Sequence, residues 1–212
     1  MPKAFVELEG RTMLERAVTG LLDSGAVDDV VVVVPRDRVA QADAVLAPLR
    51  TGGHLVAVTT GGAERTDSVR NGLAALAALR GGVGAAVYDV LLVHDAARCL
   101  TPAAPIRRVV EAVRSGDVAV VPVLPVVDTV KQVDVDGYVV GPPDRATLRA
   151  VQTPQGFAPD VLIAAYDAAG EVATDDAGLV ERLGERIATV EGDPRAFKIT
   201  TAEDHHLAVG RL

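Results

Sequence analysis

Along the chain, short apolar runs alternate with amphipathic stretches. Thr12-Met13-Leu14-Glu15 has the form of a capping box that opens a helix, and Ser24-Gly25 has the form of its stop. Val30 to Val34 is five consecutive valines ending at Pro35. Such an unbroken β-branched run fits a strand buried on both faces, as in a parallel sheet. Arg36 to Leu49 has helical spacing, with Val39, Ala42, Val45, Leu46 and Leu49 on one side. Leu55 to Val58 predicts a strand, Gly61-Gly62 a turn, and Thr66 to about Leu79 a helix. Val90 to Val93 predicts a strand that runs straight into His94-Asp95-Ala96-Ala97-Arg98. Thr101-Pro102 predicts a helix start with Thr as N-cap and Pro in the first helical position, and Ser115-Gly116 its end. Val118 to Val121 is the next strand.

This alternation predicts a single α/β domain over residues 1–212, an open, mostly parallel sheet with right-handed crossovers and helices on both faces. The texture changes in the middle. Thr129 to Val135 and Tyr138 to Val140 flank Asp136-Gly137, a strong hairpin signal. Pro125 and Pro142-Pro143 bound it, so residues 126–147 are expected to project as a β-hairpin arm. Val133, Val135 and Val139 give that arm an apolar face with nothing in its own domain to cover it, which is the expectation for a homodimer contact. Beyond the arm the pattern predicts a strand near Ala150 to Gln152, helices near Pro159 to Ala169 and Asp175 to Leu183, and strands at Ile187 to Val190 and Phe197 to Ile199. A last helix follows Thr200-Thr201, with Glu203 and Asp204 in its first turn.

Composition narrows the function classes. The 212 residues carry 21 basic and 29 acidic side chains, a formal charge of −8, and 49% are hydrophobic. A chain this apolar builds a core and is not disordered. The acidic balance argues against a nucleic-acid partner. The one cysteine, Cys99, excludes a disulfide framework and a multi-cysteine zinc site, and reads as a small buried apolar residue. The longest apolar stretch, Val118 to Val127, is interrupted by Pro122 and Pro125 and is too short to span a bilayer. With no signal peptide visible, the expected setting is the cytoplasm, with no membrane partner. Lysine occurs only at Lys3, Lys131 and Lys198. A coding bias accounts for most of that scarcity, yet each remaining lysine merits attention.

In open α/β sheets, ligands bind beyond the carboxyl ends of the strands. Gly61-Gly62-Ala63-Glu64-Arg65-Thr66-Asp67-Ser68 follows one strand. Its glycines let backbone amides approach a ligand, and taken alone it is equally an ordinary glycine turn. In His94-Asp95-Ala96-Ala97-Arg98, Asp95 is an oxygen donor suited to Mg²⁺, the alanines leave room, and the Arg98 fork suits a phosphate. The plainer reading is a surface Asp–Arg pair, and His94 reads as structural. Thr174-Asp175-Asp176 reads as an N-cap first. Lys198, inside an apolar stretch, is costly unless it snorkels out or meets an anion.

Taken in order, Pro2-Lys3-Ala4-Phe5, Gly61 to Val69, Val93 to Arg98, Asp128-Thr129-Val130-Lys131, Thr153-Pro154-Gln155-Gly156-Phe157, Thr174 to Ala177 and Lys198-Ile199-Thr200 resemble the 2-C-methyl-D-erythritol 4-phosphate cytidylyltransferase family over nearly the whole chain. The resemblance implies a Rossmann-like nucleotidyltransferase fold, the partners CTP and a small polyol phosphate, and Mg²⁺ as cofactor. By the same resemblance, Lys3 and Lys198 are catalytic, and Gly62, Ala63, Ser68, Asp95 and Arg98 bind the nucleotide. Asp95 also ligates the metal. Asp95, Arg98, Thr129, Arg145, Thr153, Thr174 and Lys198 surround the acceptor, with Thr129 and Arg145 brought by the arm to the neighbour's site.

The family places a buried strand and a glycine-rich phosphate loop ahead of its Pro-Lys pair, the strand lying between those formed here by Val30–Val34 and Val90–Val93. Neither precedes Pro2-Lys3 in this sequence. The expectation is a sequence incomplete at its start, or else a shortened homologue in which something else fills the gap. Alternatives of other kinds are a ribitol 5-phosphate cytidylyltransferase of the same fold and a binding or dimerisation module without catalysis. A dinucleotide oxidoreductase finds no support, since no G-x-G-x-x-G follows a strand.

Overall fold

A computed structural model describes residues 2–50, 54–169 and 175–212. A short turn, Lys3–Phe5, buries Phe5 and leads to an antiparallel pair, β1 (Glu7–Leu8) and β2 (Arg11–Thr12). Helix α1 (Met13–Asp23) opens as its pattern requires, with the Thr12 side chain accepting the Glu15 N–H. It buries Leu14, Val18 and Leu22 against the valine run and closes at Gly25, whose φ of +68° only glycine adopts readily.

The valines form β3 (Asp29–Val34), paired in parallel with β4 (Leu55–Thr60) through α2 (Val39–Leu46). The expected helix from Arg36 to Leu49 is three pieces. Tight turns at Arg36–Arg38 and Ala47–Arg50 flank α2, and the second contains Pro48, which brings no N–H to extend the ladder. Helix α3 (Arg65–Arg80) follows and ends at Gly81, φ +76°. Then come β5 (Leu91–Val93) and α4 (Ala103–Arg114). Thr101 is not the cap of α4. Its hydroxyl turns back and donates to the Arg98 carbonyl at 2.7 Å, so Pro102 holds the cap position and Ala103 begins the helix.

The chain continues through β6 (Ala119–Pro125), the hairpin β7 (Gln132–Val133) and β8 (Val139–Gly141), β9 (Arg149–Val151) and β10 (Gln155–Phe157). It closes with α5 (Pro159–Ala168), α6 (Asp176–Arg182), β11 (Ala188–Glu191) and α7 (Ala202–Val209). The larger sheet runs β11-β6-β10-β5, with β9 also on β6. β11 lies parallel to β6, while β10 is antiparallel to both its neighbours. That reversal matters for the site, because the start of β10 reaches the rim where β5 ends. The strand expected at Phe197–Ile199 is not one. After a turn at Pro194–Ala196 the segment crosses the end of the sheet, held by the Ile199 N–H on the Ala97 carbonyl at 2.9 Å.

β3 and β5 do not pair. Their apolar residues, Val30–Val34 and Val90–Val93, face one another across a cavity of about 390 Å³. This is where the resemblance puts a further buried strand. At its foot, Arg80 and the Tyr88 hydroxyl donate to the Asp29 carboxylate at 2.8 and 3.0 Å, bracing the end of α3 against the start of β3. Among the described residues the hairpin β7–β8 pairs only with itself, and Val127, Val135 and Tyr138 stand open to solvent at 79, 101 and 73%. Among the described residues, no helix is long and apolar enough to cross a membrane.

The core behind β10 leaves no spare volume. A Cβ built on Gly156 would stand 2.4 Å from the Val109 Cγ1. Gly156→Ala is therefore expected to lower stability by about 1–3 kcal/mol through overpacking, read as a drop in the urea midpoint with an unchanged slope.

Candidate active site

The rim at the carboxyl end of β5 gathers Asp95, Arg98, Thr153 and Lys198. Asp95 is the second residue past that strand. Its carboxylate meets the Lys198 ammonium at 2.9 Å and lies 3.9 Å from the Arg98 Nε. Arg98 sits three residues on, at the end of the Ala96–Arg98 turn, and donates to the Ala196 and Val151 carbonyls at 2.7 and 3.2 Å. The bond from Ile199 to Ala97 pins the Lys198 segment to the same turn. Lys198 thus escapes the cost of an apolar strand by crossing the rim and pairing with an anion.

Thr153 lies two residues ahead of β10. Its hydroxyl accepts the Asp95 N–H at 3.0 Å and pairs with the His94 Nδ1 at 2.9 Å. Desolvation pushes the His94 pKa down to about 4, so the ring is neutral near pH 7. Burial pushes the Asp95 carboxyl upward, but the Lys198 hydrogen bond and charge, with Arg98, outweigh it and hold the group below the usual carboxylate range. Asp95 is therefore an anion throughout the neutral range. Burial lowers the Arg98 pKa against the opposing pull of Asp95.

The glycine turn leads into α3, whose Arg65 and Ser68 line the cavity between β3 and β5. Gly61 donates to the Val34 carbonyl at 2.8 Å and Gly62 to the Ser68 hydroxyl at 3.1 Å. A Cβ on Gly62 would stand 2.2 Å from the Asp67 Cβ, so the turn lies too close to the first turn of α3 for any side chain there. Ala63 lies exposed beside it. Ser68, Arg65, Asp95, Ala96 and Ala4 line one cavity. Lys3 is exposed on the turn next to Ala4, and that turn packs through Phe5 and Ala4 against Ala96. Thr129 and Arg145 stand apart, exposed on the arm, where the Arg145 guanidinium donates to the Val127 carbonyl at 2.9 Å. Thr174 lies outside the described residues; the cap of α6 is Asp175, which accepts the Gly178 N–H.

The sequence reading missed a polar network behind this rim. The Gln155 side chain accepts the Ala177 N–H at 3.0 Å and donates to Asp175 at 3.2 Å. Arg65 and the Tyr166 hydroxyl both donate to the fully buried Asp176 carboxylate. The one available signal was placement: Arg65 follows the glycine turn directly, and Asp176 follows a helix cap.

A glycine turn after β4 and, past the carboxyl end of β5, a carboxylate paired with cations are the features of a nucleotide-handling transferase of the Rossmann-like class. Known proteins agree. Residues 1–211 match the family model described as "IspD: 2-C-methyl-D-erythritol 4-phosphate cytidylyltransferase". A 2-C-methyl-D-erythritol 4-phosphate cytidylyltransferase of Rhodococcus jostii is 58% identical over 207 residues, covering 98% of this chain and 85% of its own. The crystal structure of the Thermus thermophilus enzyme of that name superposes with a TM-score of 0.79 at 36% identity, over 99% of this chain and 93% of its own. A 4-diphosphocytidyl-2C-methyl-D-erythritol synthase structure from Anaerococcus prevotii gives a TM-score of 0.85 at 27% identity, over 98 and 92%. The chain belongs to the 2-C-methyl-D-erythritol 4-phosphate cytidylyltransferase family.

Cys99 adjoins the site without serving it. The residue is 5% exposed, and burial pushes its thiol pKa up to about 11. A thiol-reactive dye at pH 8 is expected to leave Cys99 unlabelled in the folded protein and to label it fully in denaturant.

Proposed function

We propose that this rim transfers the cytidylyl group of CTP to 2-C-methyl-D-erythritol 4-phosphate, releasing pyrophosphate. The observation that carries the reading is the Asp95–Lys198 pair at 2.9 Å, with Arg98 and Thr153 tied to the same turn. The acceptor's phosphate oxygen attacks the α-phosphorus, a new P–O bond forms, and the bond to the β-phosphate oxygen breaks with its electron pair on pyrophosphate. That oxygen is already ionised near neutral pH, so the step needs no general base. The barrier lies in charge building on the α-phosphate and on the leaving group, which cations held at the rim stabilise.

Lys198 and Arg98 serve the acceptor side, with Thr153. Lys3, from its turn beside Ala96, serves the triphosphate. Gly62, Ala63 and Ser68 hold cytosine and ribose on the other wall. Among the described residues, no cluster of three or more His, Cys, Asp or Glu side chains is placed to hold a metal ion. A lone carboxylate fits Mg²⁺, which is commonly held by one or two carboxylates together with substrate phosphates. Asp95 is the residue that would hold it, and when bound the ion supplies neutralising charge at the phosphate oxygens.

Two surfaces complete the reading. The uncovered valines of the arm support a homodimer in which Thr129 and Arg145 reach the neighbouring site. The open cleft between β3 and β5 supports the additional strand and phosphate loop that the resemblance places there. The setting we infer is the cytoplasm, where the reduced, buried Cys99 is at home.

Lys198→Ala is expected to lower kcat/KM for the acceptor by about 10²–10³-fold in a pyrophosphate-release assay, the magnitude typical of losing one group that stabilises transition-state charge. A change below threefold contradicts its role. Deleting Lys131 to Gly141 is expected to give monomers by light scattering, and a persisting dimer removes the arm from the interface.

A further inference from the structure

Asp176 has no solvent exposure, yet it is an acid at the start of α6, at the edge of the core. Its carboxylate receives both terminal nitrogens of Arg65, one of them at 2.9 Å, and the Tyr166 hydroxyl. Tyr166 is itself 1% exposed, in the middle of the core. Removing a carboxylate from water costs several kcal/mol, and apolar groups of the same shape often hold a fold as well. A bidentate pair at such a position does something packing alone does not: it fixes the direction of the guanidinium.

Arg65 is the first residue of α3, directly after the glycine turn, and it lines the cavity with Ser68 and Asp95. On the far side of Asp176, the neighbouring residues Asp175 and Ala177 are gripped by the Gln155 side chain. Gln155 lies two residues beyond Thr153, whose hydroxyl holds the Asp95 N–H. One path of hydrogen bonds and short chain segments therefore runs from the Lys198–Asp95 pair, through Thr153, Gln155, the start of α6 and Asp176, to Arg65 and the start of α3, where Ser68 accepts the N–H of Gly62 from the glycine turn. The glycine turn follows β4 and Asp95 follows β5, two strands that do not pair with each other. This path crosses between them.

We infer that Asp176 is a positioning residue for the transfer reaction, which acts through Arg65 to hold the glycine turn at the correct distance from the Asp95 rim. The inference rests on the functional reading above. Arg65 is the link and Tyr166 sets the carboxylate. Its removal leaves the rim cations in place and loosens the nucleotide wall, so its effect falls on the nucleotide first.

Asp176→Asn, Arg65→Met, the double variant and Tyr166→Phe test this, assayed well below their melting temperatures. CTP binding by calorimetry and steady-state kinetics are read together. The expected result is a KM and Kd for CTP raised at least tenfold in Asp176→Asn and Arg65→Met, and a threefold or smaller change in KM for the polyol phosphate. The double variant should be no worse than either single one. Arg65→Lys, which keeps the charge and loses the two-pronged grip, should restore less than half of the lost affinity. Tyr166→Phe keeps the ring in the core and is expected to show a smaller rise in the same parameter, which preserves the test if Asp176→Asn does not fold. Lower melting temperatures with unchanged CTP parameters overturn the inference and leave Asp176 a purely structural acid. Wild-type protein that binds no CTP overturns the functional reading itself.

Discussion

The site depends on one ionised carboxylate at a strand end. Asp95 lies partly out of water, where a lone anion is unfavourable, and Lys198 and Arg98 compensate it. Lys198 reaches it on a segment that crosses the sheet rim, and Arg98 stands three residues along the same turn. Lys198 sits on a stretch that forgoes strand pairing for a single backbone bond to Ala97, and Arg98 spends its donors on the Ala196 and Val151 carbonyls. The pairing thus gathers three distant parts of the chain around β5. A triphosphate with its divalent cation needs the same features, concentrated charge of both signs at an open rim.

Much of this was legible from residue order. The valine run, the glycine turn and the Asp95–Arg98 segment specify strand, turn and rim locally, and local pattern is enough to read them. What it could not specify depends on contacts far apart in sequence. Thr101 has the right chemistry and neighbour for an N-cap, yet its hydroxyl found the Arg98 carbonyl. Phe197 to Ile199 has the apolar run of a strand, but the ion pair of Lys198 and the turn at Pro194 carry it across the sheet end. The reversed direction of β10 follows from its pairing partners and leaves no mark in its own three residues. Asp176 reads as one more capping acid until Arg65, 111 residues away, is placed beside it.

The molecule also presents two apolar surfaces that its described residues do not cover. One is the hairpin arm, with Val135 fully exposed. The other is the cleft between β3 and β5, where two strand edges face each other without a ladder. Exposed strand edges and contiguous valines are unfavourable in water and invite pairing. The cleft opens at Ser68 and Asp95, whereas the arm, with Thr129 and Arg145, stands apart from the rim of its own chain.

The most direct test of the central claim is chromatographic: CTP, Mg²⁺ and either 2-C-methyl-D-erythritol 4-phosphate or ribitol 5-phosphate are incubated with the protein, and cytidine diphosphate esters are quantified. The account predicts 4-diphosphocytidyl-2-C-methyl-D-erythritol with stoichiometric pyrophosphate, and at least a hundredfold preference over the ribitol ester. Equal or greater yield of the ribitol ester, or no ester from either acceptor, contradicts it.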